Sequence, residues 1–168
     1  LIVEFTQDLR KESTYSLDFK DAVADNNEKN PIKDFRFSFG TGQQFDSLKV
    51  AGYVKNAINQ EPVEKALVML HRQKEYTAFI DSVPDYIGTT DKEGLFMIDN
   101  LAPGSYRLYA LTDTDNSLTY NSNSELIAFA DSLIVPSAKY VAQTDTVIQG
   151  ADTILVSGML IIFLFRNT

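Results

Sequence analysis

Apolar residues in this chain tend to recur at every second position, and short runs of that pattern are separated by turn-forming residues along most of its length. Ile2-Val3-Glu4-Phe5, Tyr15-Ser16-Leu17-Asp18-Phe19 and Phe35-Arg36-Phe37-Ser38-Phe39 alternate or nearly alternate. A two-residue period sends successive side chains to opposite faces of an extended backbone, so each run reads as a strand with one buried face. Between the second and third lies Asp25-Asn26-Asn27-Glu28-Lys29-Asn30-Pro31, a cluster of turn formers that leaves no space for regular structure. The pattern lapses after Phe39-Gly40-Thr41-Gly42, and Gln43 to Asp46 reads as a short linker. From Ser47 onward the expected strands span 48–54, 66–71, 86–90, 95–98, 106–112 and 125–133, with one or two more between 144 and 165. Turn signals at such short intervals are the spacing of a sandwich and not of βαβ units. Only 61–69 has helical character, which Pro62 and β-branched neighbours oppose, and 73–84 reads as a long loop. The apolar run from Met159 to Phe165 is far shorter than the roughly 20 residues of a spanning helix and reads as a buried last strand.

Composition narrows the partners. A net charge of −8, with Lys and Arg unclustered, argues against nucleic acid and against an anionic membrane surface. The absence of cysteine excludes disulfides, thiolate metal sites and cysteine nucleophiles. No signal peptide opens the sequence, so the expectation is a mature or trimmed fragment. The first block has too few strands to bury both faces of a sandwich. Either it has lost earlier strands or it packs on the second block.

The most informative stretch runs from Thr90 to Ala110. Asp91-Lys92-Glu93-Gly94 can close a tight turn with Gly94 at positive φ. Phe96 and Ile98 then share a face, with Leu101 joining them after a bend at Asn100. Pro103-Gly104 suits the central pair of a type II turn, and Tyr106, Leu108 and Ala110 return on one face. This stretch, with Val50-Ala51-Gly52-Tyr53-Val54 and Pro62-Val63 before Ala66-Leu67-Val68-Met69-Leu70, resembles the prealbumin-like fold of carboxypeptidase regulatory-like and collagen-adhesin B-type domains. That resemblance covers about residues 47–135. The Tyr15 run, the Asp25 to Pro31 turn and the closing Phe39-Gly40-Thr41-Gly42 resemble the carboxy-terminal half of bacterial Ig-like domains of the S-layer-associated type. The expected architecture is all-β: residues 1–43 form part of an Ig-like domain, 44–46 a linker, and 47–168 a prealbumin-like (Ig-like) antiparallel β-sandwich. The resemblance implies a non-enzymatic structural or interaction module of a bacterial envelope or secreted protein. Its location would be the cell surface, the periplasm or a lipoprotein anchor, and its partner a protein or a glycan.

Candidate chemistry is sparse. His71, the one histidine, is expected at a surface strand end beside Arg72, with no serine elbow near it to build a triad. Acids at 81, 85, 91, 93, 99, 113, 115 and 125 are scattered over loops, unlike the fixed carboxylate pair of a glycosidase. No cofactor is expected, with calcium as the one candidate metal. Asp113, Asp115 and Glu125 would supply its oxygens at spaced loop positions. That loop departs from the EF-hand pattern, because Leu118 stands where the loop glycine belongs and the glutamate falls one residue late. The bland alternative is an Asx-rich turn satisfying its own backbone. Tyr76, Tyr86 and Tyr120, with Phe79, are candidates for stacking on a sugar ring, although the chain has no tryptophan. An unpaired edge in the first block would favour pairing between copies.

Overall fold

The computed structural model describes residues 2–20, 22–25, 30–32, 35–72, 75–137 and 160–165, and the chain divides into two compact units, Leu1–Ser47 and Leu48–Thr168.

In the first unit, β1 (Thr14–Lys20) and β2 (Phe35–Gly40) pair antiparallel, with Thr14 opposite Gly40 and Leu17 opposite Phe37. The alternation sorts the two faces as the period requires. On one face the Ser16 and Ser38 hydroxyls lie 2.9 Å apart, and Arg36 meets Asp18 at 3.3 Å. On the other, Tyr15 stacks on Phe39 at 5.7 Å between centroids and Phe19 on Phe35 at 5.6 Å. Residues 2–5, expected as a strand, form none. Instead Phe5 tilts against Phe39 at 5.8 Å, and Val3 and Phe5 join Leu17, Phe19, Phe35, Phe37 and Phe39 around a groove of about 420 Å³. The expected linker is tied into this unit, because the Asp46 amide donates to the Thr14 hydroxyl at 2.9 Å. Asn26, Asn27, Glu28 and Lys29 of the expected turn lie outside the described residues. Its flanks close with Asp25 N donating to Asn30 O at 3.0 Å.

The second unit contains β3 (Leu48–Asn56), β4 (Leu67–His71), α1 (Ala78–Asp81), β5 (Tyr86–Thr89), β6 (Leu95–Leu101), β7 (Arg107–Leu111), β8 (Ile127–Phe129) and β9 (Leu160–Phe165). They form a three-stranded sheet ordered β6-β3-β9 and a four-stranded sheet ordered β5-β4-β7-β8. The inner faces share one core: Val50 and Val54 from β3, Phe96, Ile98 and Leu101 from β6, and Val68, Leu70, Leu108, Ala110 and Ala128 from the other sheet. The face-sharing expected of Phe96, Ile98 and Leu101, and of Tyr106, Leu108 and Ala110, is what burial shows.

Where structure and sequence expectation differ, the causes are local. The 61–69 stretch is not helical: Pro62 bridges Lys55 and β4 follows. The expected 73–84 loop holds the short helix α1, while Gln73 and Lys74 lie outside the described residues. The expected strand over 125–133 contracts to β8, since Asp131-Ser132 bend the chain before Ile134 bridges Tyr106. The sheets are not wholly antiparallel, because β9 joins β3 in parallel. Any strand within 144–159 lies outside the described residues.

Two glycine expectations separate. Gly94 has φ 74°, and an added Cβ there would stand 2.5 Å from the Val54 carbonyl oxygen. The turn it ends carries the chain from one sheet to the other, and Asp91 Oδ1 accepts from the amides of Glu93 (3.0 Å) and Leu95 (2.9 Å). Gly104 has φ 159°, far from the roughly 80° that the third position of a type II turn takes, so Pro103-Gly104 is not a type II turn. Asn100, at φ 59°, marks an irregularity within β6, where the register against β3 shifts between Leu48 and Val50, and the Tyr106 hydroxyl holds the Ala102 carbonyl at 2.6 Å. Gly94→Val is therefore expected to cost about 1–3 kcal/mol from backbone strain, with contact against Val54 added. Gly104→Val also meets backbone strain, but its added Cβ finds only the Tyr106 side chain at 3.6 Å, so it should cost less. Urea midpoints of the two variants check the ranking.

Candidate functional site

The sequence places three carboxylates on the loop between β7 and β8, and the fold brings them together. One oxygen from each of Asp113, Asp115 and Glu125 lies within 4.8 Å of the others. The neck of the loop is pinned on both sides, with Thr112 N donating to Leu126 O at 2.9 Å and Leu126 N to the Thr112 hydroxyl at 2.7 Å. Asn116 and Leu118 both take left-handed conformations, at φ 60° and 61°. Leu118 thus adopts the geometry for which a glycine is the ordinary choice, and its side chain packs with Ile127 on a cluster of Leu67, Met69, Tyr109 and Leu111.

Each carboxylate is engaged by the loop itself. Asp113 accepts from the amides of Ser117 (3.2 Å) and Leu118 (3.0 Å). Asp115 accepts from Ser117 N at 3.0 Å and from the Asn121 side-chain amide at 2.8 Å. These hydrogen bonds, Asn121 first, hold the exposed Asp115 carboxyl below its usual range. Glu125 is only 4 % exposed, yet it accepts from Thr114 N at 3.1 Å and Asn121 N at 3.2 Å. The chemistry available is therefore of two kinds: backbone satisfaction within an Asx-rich loop, and oxygen ligation of a hard cation by the remaining lone pairs.

The tyrosines do not converge on one platform. Tyr86 is half-buried against the inner core, its ring edge-on to Tyr106 at 5.7 Å. Its hydroxyl accepts from Arg72 at 3.0 Å and from Ala102 N at 3.2 Å. Enclosure pushes the Tyr106 hydroxyl up to about 12, first through desolvation and then through Tyr86. Tyr120 is half-buried on the outer cluster, 5.9 Å from Phe79, which in turn tilts over Tyr109 at 5.0 Å. Tyr76 is 66 % exposed, with the Arg107 guanidinium 3.6 Å from its ring centre.

His71 corrects the expectation of a surface residue. It is 1 % exposed, set edge-on to Tyr109 at 5.6 Å. The signal was present in the sequence: Ala66 to Leu70 is an unbroken apolar run, the mark of a strand covered on both faces. Sequence reasoning also missed Arg107 beneath Tyr76 and Arg72 at the Tyr86 hydroxyl, since each contact joins residues distant in the sequence. Comparison with protein-family models, with curated proteins and with solved structures finds no match to this chain. Among the described residues no helix is long and apolar enough to cross a membrane.

Asp113→Ala removes the acceptor of two loop amides at once. Hydrogen bonds to a charged group contribute about 1.5–3 kcal/mol each at most, so a loss of about 2 kcal/mol in unfolding free energy is expected. Asp113→Asn, which keeps an acceptor oxygen, should recover most of it in the same denaturation assay.

Proposed function

We propose that this chain is a non-catalytic structural and interaction module of a bacterial cell-envelope or secreted protein. In this reading the second unit is a prealbumin-like sandwich and the first is the carboxy-terminal part of an Ig-like β-domain. The observation that supports it is how the chemically capable side chains are engaged. The His71 ring is enclosed against Tyr109, and the three clustered carboxylates hold loop amides. The Tyr86 hydroxyl ties Arg72 to the Ala102 amide. The carboxylates and the Tyr86 hydroxyl thus hold connections between strands, and the imidazole is turned away from solvent. The tandem of two β units suits a protein that spaces or presents other parts of a larger envelope assembly. Its partner is then a protein or glycan outside the cytoplasm.

A second reading, carbohydrate binding, draws on Tyr76. Its exposed ring is backed by Arg107, and a ring so supported offers a sugar face a rigid stacking surface. Tyr86 and Tyr120 contribute less to that reading because each is half-buried against a core cluster.

A thermal-shift screen against calcium, EDTA, soluble glycans and peptidoglycan fragments separates these readings. A ligand at 100 times its dissociation constant stabilises by about 2.7 kcal/mol, which moves a melting curve visibly. Superimposed curves across the panel are the outcome expected of a structural module. A glycan shift that disappears in Tyr76→Ala would replace it with carbohydrate binding. A calcium shift that disappears in Asp115→Asn would assign the cation to the 113–125 loop.

A further inference from the structure

The outer face of the four-stranded sheet is closed by a strap, residues 75–82, that includes α1. Three contacts hold it down. The Tyr109 hydroxyl donates to the Tyr76 carbonyl at 3.1 Å, Tyr120 N donates to the Phe79 carbonyl at 2.8 Å, and Arg107 stacks on Tyr76 at 3.6 Å. Helix α1 packs against β4, and Phe79 covers the Leu67, Met69, Tyr109 and Leu111 cluster. At the end of β4, on this same face, sits His71. Its Nε2 is buried and has no hydrogen-bond partner among the described residues.

A neutral imidazole tolerates such a place at the cost of one unmade hydrogen bond, whereas an imidazolium there would be a charge removed from water. We propose that His71 is an acid-sensitive latch: a proton on its imidazole is accommodated only when the 75–82 strap lifts and water reaches the ring. Lifting the strap uncovers the apolar cluster around Tyr109 beneath it.

Among the described residues the groups around the ring offset the charge only in part. Arg107 stands directly opposite on β7, and Arg72 follows in the chain. Tyr109 on β7 presents its ring edge, and β5 brings Tyr86 alone. The strap itself carries Glu75, Tyr76 and Asp81. Asp85, just before β5, is the acid whose field favours the proton, and desolvation outweighs it, so the imidazole is held below its usual 6.5. The sign follows. Above pH 6.5 the ring is neutral whether the strap is closed or lifted. As pH falls below 6.5 the lifted state takes up the proton and the closed state does not. The closed strap therefore loses stability, by up to about tenfold in its opening constant per pH unit, until the depressed value is passed.

Hydrogen exchange read by NMR at pH 7.5, 6.5 and 5.5 tests this on the full chain. Protection factors are compared for the strap amides of Ile80 and Ser82, for the Tyr120 amide, and for core amides of Val68 and Leu108. The expected result is a several-fold to tenfold loss of strap protection between pH 6.5 and 5.5, with core protection unchanged. In His71→Phe, which keeps a ring beside Tyr109 without a titrating nitrogen, strap protection should be flat with pH. An equal loss in that variant, or a strap loss that only parallels the core, would overturn the latch. Should His71→Phe fail to fold, the wild-type chain still decides, because its single histidine gives an unambiguous titration. An imidazole titrating at or above 6.5 overturns the proposal, and one titrating well below it in step with the strap amides supports it.

Discussion

A β-sheet that carries apolar side chains on both faces must be covered twice, and the second unit is organised around that requirement. Along β4, Val68 and Leu70 point to one cluster while Leu67 and Met69 point to another. Along β7, Leu108 and Ala110 share the first cluster, and Tyr109 and Leu111 the second. The opposing sheet covers the inner face. Among the described residues no sheet covers the outer one, and connections do: the strap with α1, and the loop between β7 and β8. Covering a sheet with loops brings backbone polar groups against an apolar surface, and each has to find a partner. The bond from Tyr120 N to Phe79 O joins the two covers to each other, and Tyr109 caps the Tyr76 carbonyl from below.

The same constraint accounts for the conformation of the 113–125 loop. Leu118 at φ 61° costs on the order of 1–2 kcal/mol in backbone energy. Burying an apolar side chain of its size contributes a similar or larger amount, which is enough to hold the residue in that conformation. Once Leu118 is turned inward, the amides of Ser117 and Leu118 point at Asp113, and the carboxylate is the natural acceptor. Asp115 and Glu125 close the rest of the loop through Asn121 and Thr114. The acidic cluster is therefore a consequence of fitting a loop over an apolar face, and a cation would share ligands already in structural use.

Strand positions in the second unit were legible because the two-residue period and the turn chemistry agree there. Gly94 illustrates this: aspartate, two polar residues and glycine fix both the turn and the left-handed position. The Pro103-Gly104 turn was misread because the dipeptide suits several geometries, and the distant anchor Tyr86 and the nearby Tyr106 hydroxyl select among them. Burial of His71 was signalled by the apolar run Ala66 to Leu70 before it, but Arg72 in the next position suggested solvent. The face on which a side chain lies is periodic and can be read, but what covers that face belongs to distant loops. The stacking tyrosines failed to assemble for the same reason: Tyr86 opens β5, while Tyr76 and Tyr120 fall on connections whose placement no local pattern encodes.

Among the described residues the first unit carries a single two-stranded sheet. Its hairpin is as cleanly alternating as any strand pair in the chain, with serines and an Asp18–Arg36 pair on one face and aromatic rings on the other. Aromatic pairs contribute about 0.5–1.5 kcal/mol beyond burial, and two strands alone offer only the surface between neighbouring rings. Phe37 is still 53 % exposed and Phe5 46 %, so much of their apolar area remains in water within the unit. Its order then depends on discrete polar ties that need no core. The Thr41 hydroxyl takes the Ser13 amide at 3.0 Å and reaches the Arg10 carbonyl at 2.6 Å, and Thr14 takes the Asp46 amide. Beside Thr41, Gly42 passes so close to Glu12 that a Cβ would lie 2.8 Å from its Cα. Threonine and glycine at the end of this hairpin are thus required by the backbone crossing they make, whatever covers the aromatic face.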